Sequence, residues 1–371
     1  MTPVIKEQIT LSEKQLIMAV QKKKATSIDV ARLAGVSQST VSRTFSGNGG
    51  KVSPETQKKV LTAARELGYT PNVIAKSLST QRTSIVGIVM ADITSPFYPY
   101  VLELFITELQ KIGRQVLLFT AGPHQEVDDT LPLVLQYRVD ALIITSATLS
   151  SEMADKCAWE GTPVILFNRY VPGANASAVS CDNVAGGRLV ADLFLDAGHT
   201  RPAYIAGVKN ASTNIDREKG FIGRLKERGL TEWLREQGAY TYESGYECAR
   251  RLLQRDDPPD AIFCANDITA LGAIDAARDL QVRIPEDVSI VGFDDIPAAS
   301  WSAYSLTTIR QPVDQMVAAT LEILTERIEH PETKLVTRLV PGSLIPRTSA
   351  RLPSYMASLN REIGEQRAVI E

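Results

Sequence analysis

The sequence predicts a two-part molecule, a small all-α head followed by a large α/β body of doubly wound parallel sheet, and three observations carry that prediction. The first is charge: residues 1–82 hold 13 Lys/Arg against 5 Asp/Glu, a net +8, whereas residues 83–371 hold 27 against 38, a net −11. Second, residues 27–67 place apolar side chains at helical spacing, interrupted by turn and cap residues. Third, from Ser84 onward short apolar runs alternate with helical stretches, as strands joined by crossover helices do. At 371 residues the chain is long enough for two or three cores.

In the head, Ile28, Ala31, Leu33, Val36, Val41 and Phe45 give apolar faces to two short helices. Between them Gly35 is free to take positive φ at a turn, and Ser37 is placed to cap the second helix. Two helices joined so tightly make a helix-turn-helix. The second helix leaves Gln38, Ser39, Thr40, Ser42 and Arg43 off its apolar stripe. A merely solvated face would carry Glu and Lys. Short hydroxyls, an amide and one guanidinium instead suit base edges in a major groove, where Arg43 is able to pair bidentately with guanine. A third helix opens at Ser53 with Pro54 in its first turn, turns Val60, Leu61, Ala64 and Leu67 inward, and closes at Gly68 before Pro71. The segment from Asn72 to Thr83 is too short to hold a helix alone and needs DNA or a partner to fold.

The stretches from Asp29 to Arg43, Val52 to Thr56, Leu67 to Asn72 and Ala75 to Leu78 closely resemble the LacI/GalR family of bacterial transcriptional regulators, and the likeness runs from about Ser27 to Arg347. The resemblance implies an N-terminal extension (1–26), a DNA-binding head (27–72), a hinge helix (73–83), an effector-binding domain (84–348) and a C-terminal tail (349–371). It implies DNA contacts from Ser37, Gln38, Ser39, Thr40, Ser42 and Arg43, and from Asn72, Lys76 and Leu78, with Leu78 wedged into the minor groove where paired hinge helices meet. The partners so implied are a double-stranded, near-palindromic operator, a small-molecule effector and a second copy of the chain.

In the body, Ile85–Met90, Val116–Phe119, Ala141–Thr145, Val164–Phe167, Ala203–Ala206, Ala261–Cys264 and Val288–Val291 read as buried parallel strands. In open sheets of this kind ligands bind beyond the carboxyl ends of the strands. The residues there are polar in succession: Asp92 to Tyr98, Asn168-Arg169, Cys181-Asp182-Asn183, Asp216-Arg217, Asn266-Asp267 and Gly292 to Asp295. Together with the rings of Phe97, Tyr98, Tyr240 and Phe263 they suit a polyhydroxy compound such as a sugar or sugar acid. By the resemblance the body is two lobes of the periplasmic-binding-protein type, lobe 1 about 84–182 and 311–341, lobe 2 about 183–310 and 342–348, crossed by the chain near Asp182, Arg310 and Pro341. Arg217 and Asp294 would then clamp the effector, Thr213, Asn266 and Asp182 would add polar contacts, and Phe97, Tyr98, Tyr240 and Phe263 would form walls. Asn168, Arg169 and Asp267 read equally well as contacts or as helix caps.

Other classes fare worse. The three histidines, His124, His199 and His330, accompany no nucleophile motif, and no phosphate-binding glycine loop follows a strand, so catalysis and a bound cofactor or metal are not expected. A periplasmic solute-binding protein would share the body but needs a signal peptide and no basic head. The reading is therefore a cytoplasmic protein, nucleoid-associated when on its operator, with no membrane partner. Cys157, Cys181, Cys248 and Cys264 match no metal spacing and are expected as reduced core residues. Leu352, Met356, Leu359 and Ile363 have a heptad-like spacing that would suit a tetramerising helix, against which Pro353 and Gly364 argue.

Overall fold

The structure, a computed structural model, describes residues 25–45, 52–70, 82–90, 93–120, 127–145 and 150–355. Lys22, Lys23, Lys24, the loop 46–51, Asn72, Lys76, Leu78, Asp92, His124, Met356, Leu359 and Ile363 lie outside the described residues. The chain divides into two compact units between Thr83 and Ser84.

In the first unit, α1 (Ser27–Ala34) is opened by a capping box, in which the Asp29 amide donates to the Thr26 hydroxyl at 3.3 Å and the Thr26 amide to the Asp29 carboxylate at 3.0 Å. It stops at Gly35, whose φ of +66° lets its N–H turn back onto the Ala31 and Arg32 carbonyls. The helices α2 (Gln38–Phe45) and α3 (Pro54–Leu67) follow, with Ser37 and Ser53 as N-caps donated to by Thr40 and Thr56. Val30, Ala31, Val41, Val60, Ala63 and Ala64 form the core, with Phe45 packed edge-on to Tyr69. This corrects the sequence expectation at three positions: Ile28, Leu33 and Leu67 are 53%, 50% and 38% exposed. Val30 and Ala63 take the inward places instead. Ile28 lies two residues, about 200° of helix, from Val30, so both cannot face one core.

The second unit holds two six-stranded sheets. The first contains β1 (Ile85–Met90), β2 (Gln115–Thr120), β3 (Ala141–Thr145), β4 (Val164–Phe167), β5 (Ser177–Cys181) and β11 (Thr337–Val340), in the order β11-β5-β4-β3-β1-β2. The second contains β6 (Pro202–Ala206), β7 (Leu234–Gln237), β8 (Ala261–Cys264), β9 (Ser289–Asp294), β10 (Thr307–Arg310) and β12 (Ser343–Ile345), in the order β12-β10-β9-β8-β6-β7. Every pairing is parallel except β10 with β12. The central strands β3, β4, β6 and β8 are buried along their whole length, as parallel strands covered by helices on both faces must be.

Helices α4 (Phe97–Lys111), α5 (Val127–Gln136), α6 (Ser151–Trp159) and α11 (Val313–Glu329) cover the first sheet. Helices α7 (Asn183–Asp196), α8 (Ser212–Glu227), α9 (Tyr242–Leu253) and α10 (Asp267–Asp279) belong to the second, α7 packing on α8 and α9 on α10. The chain passes between the lobes after β5, after β10 and between β11 and β12. In each sheet the strand order reverses beside the first strand of the lobe, at β1/β3 and at β6/β8, which opens a crevice at the carboxyl ends. All four cysteines are buried thiols, and burial pushes the Cys157 thiol up to about 11. Leu352, first of the heptad-like set, packs against this unit's core. No described helix is long and apolar enough to cross a membrane.

Candidate functional site

Two surfaces carry the residues picked out by sequence. On the head, α2 exposes Gln38, Ser39, Ser42 and Arg43, with Ser37 exposed at its cap and Thr40 half-buried, while Val41 and Thr44 anchor the opposite face in the core. The small groups order one another: the Ser37 hydroxyl lies 2.8 Å from that of Ser39 and 2.9 Å from that of Thr40, and Arg43 donates to Ser39 at 3.3 Å. Gln38 donates to the Ser27 hydroxyl of α1 at 3.0 Å. Arg43 is thereby held along the exposed face of its helix, the disposition a groove-reading guanidinium needs.

In the second unit, the carboxyl ends of the strands converge on one cleft. The first lobe supplies Ser95, Phe97 and Tyr98 at the start of α4 and Asn168 and Arg169 just after β4. From the second come Thr213 and Arg217 on α8, Tyr240 after β7, Asn266 as N-cap of α10, and Asp294 at the end of β9. Nine of these ten are residues expected from sequence; Ser95 sits inside the quoted Asp92 to Tyr98 stretch without having been singled out. The open space among them is about 60 Å³, far below the roughly 300–1,000 Å³ of an ordinary ligand pocket. The lobes are therefore closed on one another, and a ligand of sugar size enters only if they part. Tyr170 closes the rim, its hydroxyl donating to Asp216 at 2.9 Å and its amide to the Ser212 hydroxyl at 3.1 Å.

At the floor lies Arg217, 2% exposed. It donates to the Asn183 amide oxygen at 2.8 Å, to the Ala265 carbonyl at 2.5 Å and to Asp294 at 3.3 Å, and stacks 3.6 Å from the centre of the Phe293 ring. Burial is the largest single influence and opposes its charge, but the Asp294 carboxylate together with Tyr240, Cys181 and Tyr204 outweighs it, so its pKa is raised. Asp294 also accepts from Gln311 at 2.7 Å, yet burial still pushes its carboxyl up. Behind it, fully buried Asp267 accepts from the Thr308 hydroxyl at 2.5 Å and the Ile296 amide at 2.9 Å, and burial with the neighbouring Asp294 pushes it up to about 7. Arg217 thus braces the site from below as much as it faces it.

The walls are strained and incompletely bonded. Asn168, Tyr240 and Asp294 have φ of +68°, +64° and +124°, conformations that cost side-chain-bearing residues about 1–3 kcal/mol each and gather at functional sites. Tyr240 bonds the Thr213 hydroxyl at 2.9 Å, and its ring occupies the place a Cβ on Gly207 would take, 2.2 Å away. Asn168 donates to the Tyr98 hydroxyl at 3.2 Å, but its Oδ1, and the Nε of Arg169, are buried without a hydrogen-bond partner. Buried polar atoms left in that state are costly.

Two expectations are corrected. Phe263 is no wall: it is fully buried in β8 between Tyr204 and Phe221, with ring centres 5.3 and 5.2 Å away, because its strand position turns it into the lobe core. Asp182 lies away from the cleft lining and accepts from the Ala185 amide at 2.9 Å as N-cap of α7. Of the two readings left open for Asn168 and Arg169, neither residue caps a helix and both line the cleft. Asn183 and Gln311, which hold Arg217 and Asp294 in place, were missed as supports, although Asn183 stands in the quoted Cys181-Asp182-Asn183 run.

Residues 27–72 match the family described as bacterial regulatory proteins, lacI family, and residues 191–350 match a periplasmic binding protein-like domain. The chain is 36% identical to the transcriptional regulator DegA of Bacillus subtilis, over 80% of this chain and 89% of that one. It is 33% identical to the transcriptional repressor PurR of Haemophilus influenzae, over 82% of this chain and 92% of that one. Among solved structures, the lac repressor dimer bound to operator and the anti-inducer ONPF superposes with a TM-score of 0.78 at 25% identity, covering 88% and 99% of the two chains. The regulator CelR in complex with cellobiose gives 0.67 at 31% identity, covering 88% and 100%. These relatives are regulators rather than enzymes, and the chain belongs to the lacI family of bacterial, DNA-binding transcriptional regulators.

Proposed function

We propose that the protein is a sequence-specific repressor that binds a near-palindromic operator as a homodimer and is controlled by a small polar effector, a sugar or sugar derivative, held in the cleft. Each copy lays α2 in a major groove, where Arg43 reads guanine and Gln38, Ser39, Thr40 and Ser42 tune the remaining base choice. Residues 73–83 act as the hinge, with Asn72 and Lys76 as further DNA contacts and Leu78 in the minor groove at the centre. The effector binds between the lobes, contacted by Phe97, Tyr98, Asn168, Arg169, Thr213, Tyr240 and Asn266 and braced by the Arg217–Asp294 pair. It acts by favouring one lobe arrangement over another, so its effect on DNA equals its differential affinity for the two states. The protein works in the cytoplasm.

The observation that carries this reading is the convergence of polar groups from both lobes on one closed cleft, two of them with unsatisfied buried atoms, in a chain that also presents an exposed, ordered α2 face. The test is selection of duplexes from a random pool with the full chain, followed by anisotropy titration. The reading expects a motif with two-fold symmetry, and expects Arg43→Ala to lose about 1–3 kcal/mol of discrimination at one base pair of each half-site. A motif without symmetry, or one read equally well by Arg43→Ala, overturns it.

A further inference from the structure

Among the described residues, the cleft's charges do not balance. Two guanidinium groups line it, Arg169 and Arg217, against one carboxylate, Asp294. Arg217 is already matched, since Asp294 bonds it directly. The second carboxylate nearby, Asp267, turns away from the cavity to Thr308 and the Ile296 amide, and its environment favours the protonated form. Among the described residues, Asp182 and Asp216 are the other acids of the cleft's edge, Asp92 lying outside them; the first accepts from the Ala185 amide and the second from the Tyr170 hydroxyl, and neither lines the cavity. Arg169 has no ion pair among the described residues, and its Nε is buried without a partner. Its charge reaches across to Tyr240, where it works with Arg217 against the effect of burial on that hydroxyl. Arg169 is half-buried, and its buried Nε left this way is costly, a cost that a ligand anion relieves.

We infer that the effector is a monoanionic polyol, a sugar acid whose carboxylate pairs with Arg169 while a hydroxyl donates to the Asn168 Oδ1. This rests on the reading of the cleft as the effector site and narrows it. One surplus positive charge matches one carboxylate rather than a phosphate dianion, and the unpartnered acceptor on Asn168, 6% exposed, asks for a hydroxyl beside it. Arg169 is then the residue that chooses acid over neutral sugar, and Arg217 supports the floor.

Calorimetric titration of the full chain with D-glucuronate, D-galacturonate and D-gluconate against D-glucose and D-galactose, with D-glucose 6-phosphate as a further arm, tests the inference. At least one acid should bind about tenfold or more tightly than its neutral counterpart, a charge-assisted bond's worth, and that preference should vanish in Arg169→Gln and partly persist in Arg169→Lys. Melting curves of both variants check that they are folded. If a neutral sugar binds as tightly as its acid, or the preference survives in Arg169→Gln, the charge assignment falls while the cleft remains an effector site. If the phosphate ester binds most tightly, the carboxylate assignment falls. If neither acids nor sugars bind while operator binding is intact, the cleft is not the effector site and the inference falls with that reading.

Discussion

Replacing Arg217 by Met keeps its length and removes its charge. The neighbours left behind set the cost. Asp294, with its side chain 10% exposed, would keep only Gln311 as a donor, and the Asn183 oxygen and Ala265 carbonyl would each lose theirs. Breaking one side of a buried ion pair costs about 3–5 kcal/mol because the other charge is stranded. Each orphaned acceptor costs about 1–3 kcal/mol alone, although contacts in one network do not add. The expected loss is therefore about 3–5 kcal/mol, which for a body of this size lowers the melting temperature by roughly 10 °C. Differential scanning calorimetry of the full chain reads it directly. A cycle with Asp294→Asn separates the pair from the rest: the double variant should recover part of the loss, since no charge is then stranded. An Arg217→Met protein that melts within a degree or two of the parent would refute the bracing role and return Arg217 to the effector alone.

Two further predictions follow from the same geometry, and a third from the sequence. Asp267 rises from 3.8 to about 7 on folding, so the native state binds the extra proton in that window; stability from this group is full below the lower value and is lost as pH rises through the upper one. Asp267→Asn, which still accepts from Ile296 and meets Thr308, should flatten the fall in stability between about pH 4 and 7, and equal slopes in both proteins would contradict this. Phe263→Leu should cost about 1–3 kcal/mol in urea unfolding with sugar or sugar-acid affinity unchanged, as a core residue requires; a change in affinity without one in stability would restore it to the cleft wall. Leu78→Ala should weaken operator binding several-fold and leave ligand titrations unaltered, and unchanged operator affinity would sink the hinge assignment.

What sequence made legible is what depends on local pattern. Strands β1, β3, β4, β6 and β8 are continuous apolar runs, because parallel strands buried on both faces need nothing else. The strands that escaped notice are β5, β7, β10, β11 and β12, and for three of them the reason is physical. β7, Leu-Arg-Glu-Gln, is an exposed edge whose charges mimic a loop, and β10 and β12 are short segments whose Thr and Ser acquire a strand role only from neighbours far along the chain. The same distinction governs the site. Lining residues could be named because a strand's carboxyl end is a predictable place. Which face of β8 carries Phe263, and that Arg217 rests on Asn183 and the Ala265 carbonyl, depend on pairings between residues tens of positions apart, which spacing does not encode. The unpartnered Arg169 and Asn168 atoms likewise emerge only once every neighbour's hydrogen bonds are placed.

The central claim is that occupancy of the cleft changes DNA affinity. The most direct test is anisotropy of the full chain on its selected duplex, titrated with whichever of D-glucuronate, D-galacturonate, D-gluconate, D-glucose or D-galactose calorimetry shows to bind, in the parent and in Asn168→Ala. The account predicts a several-fold shift in the DNA dissociation constant at saturating ligand in the parent, and in the variant the same DNA affinity with the shift lost. A ligand that saturates the cleft while leaving DNA affinity unchanged would contradict it.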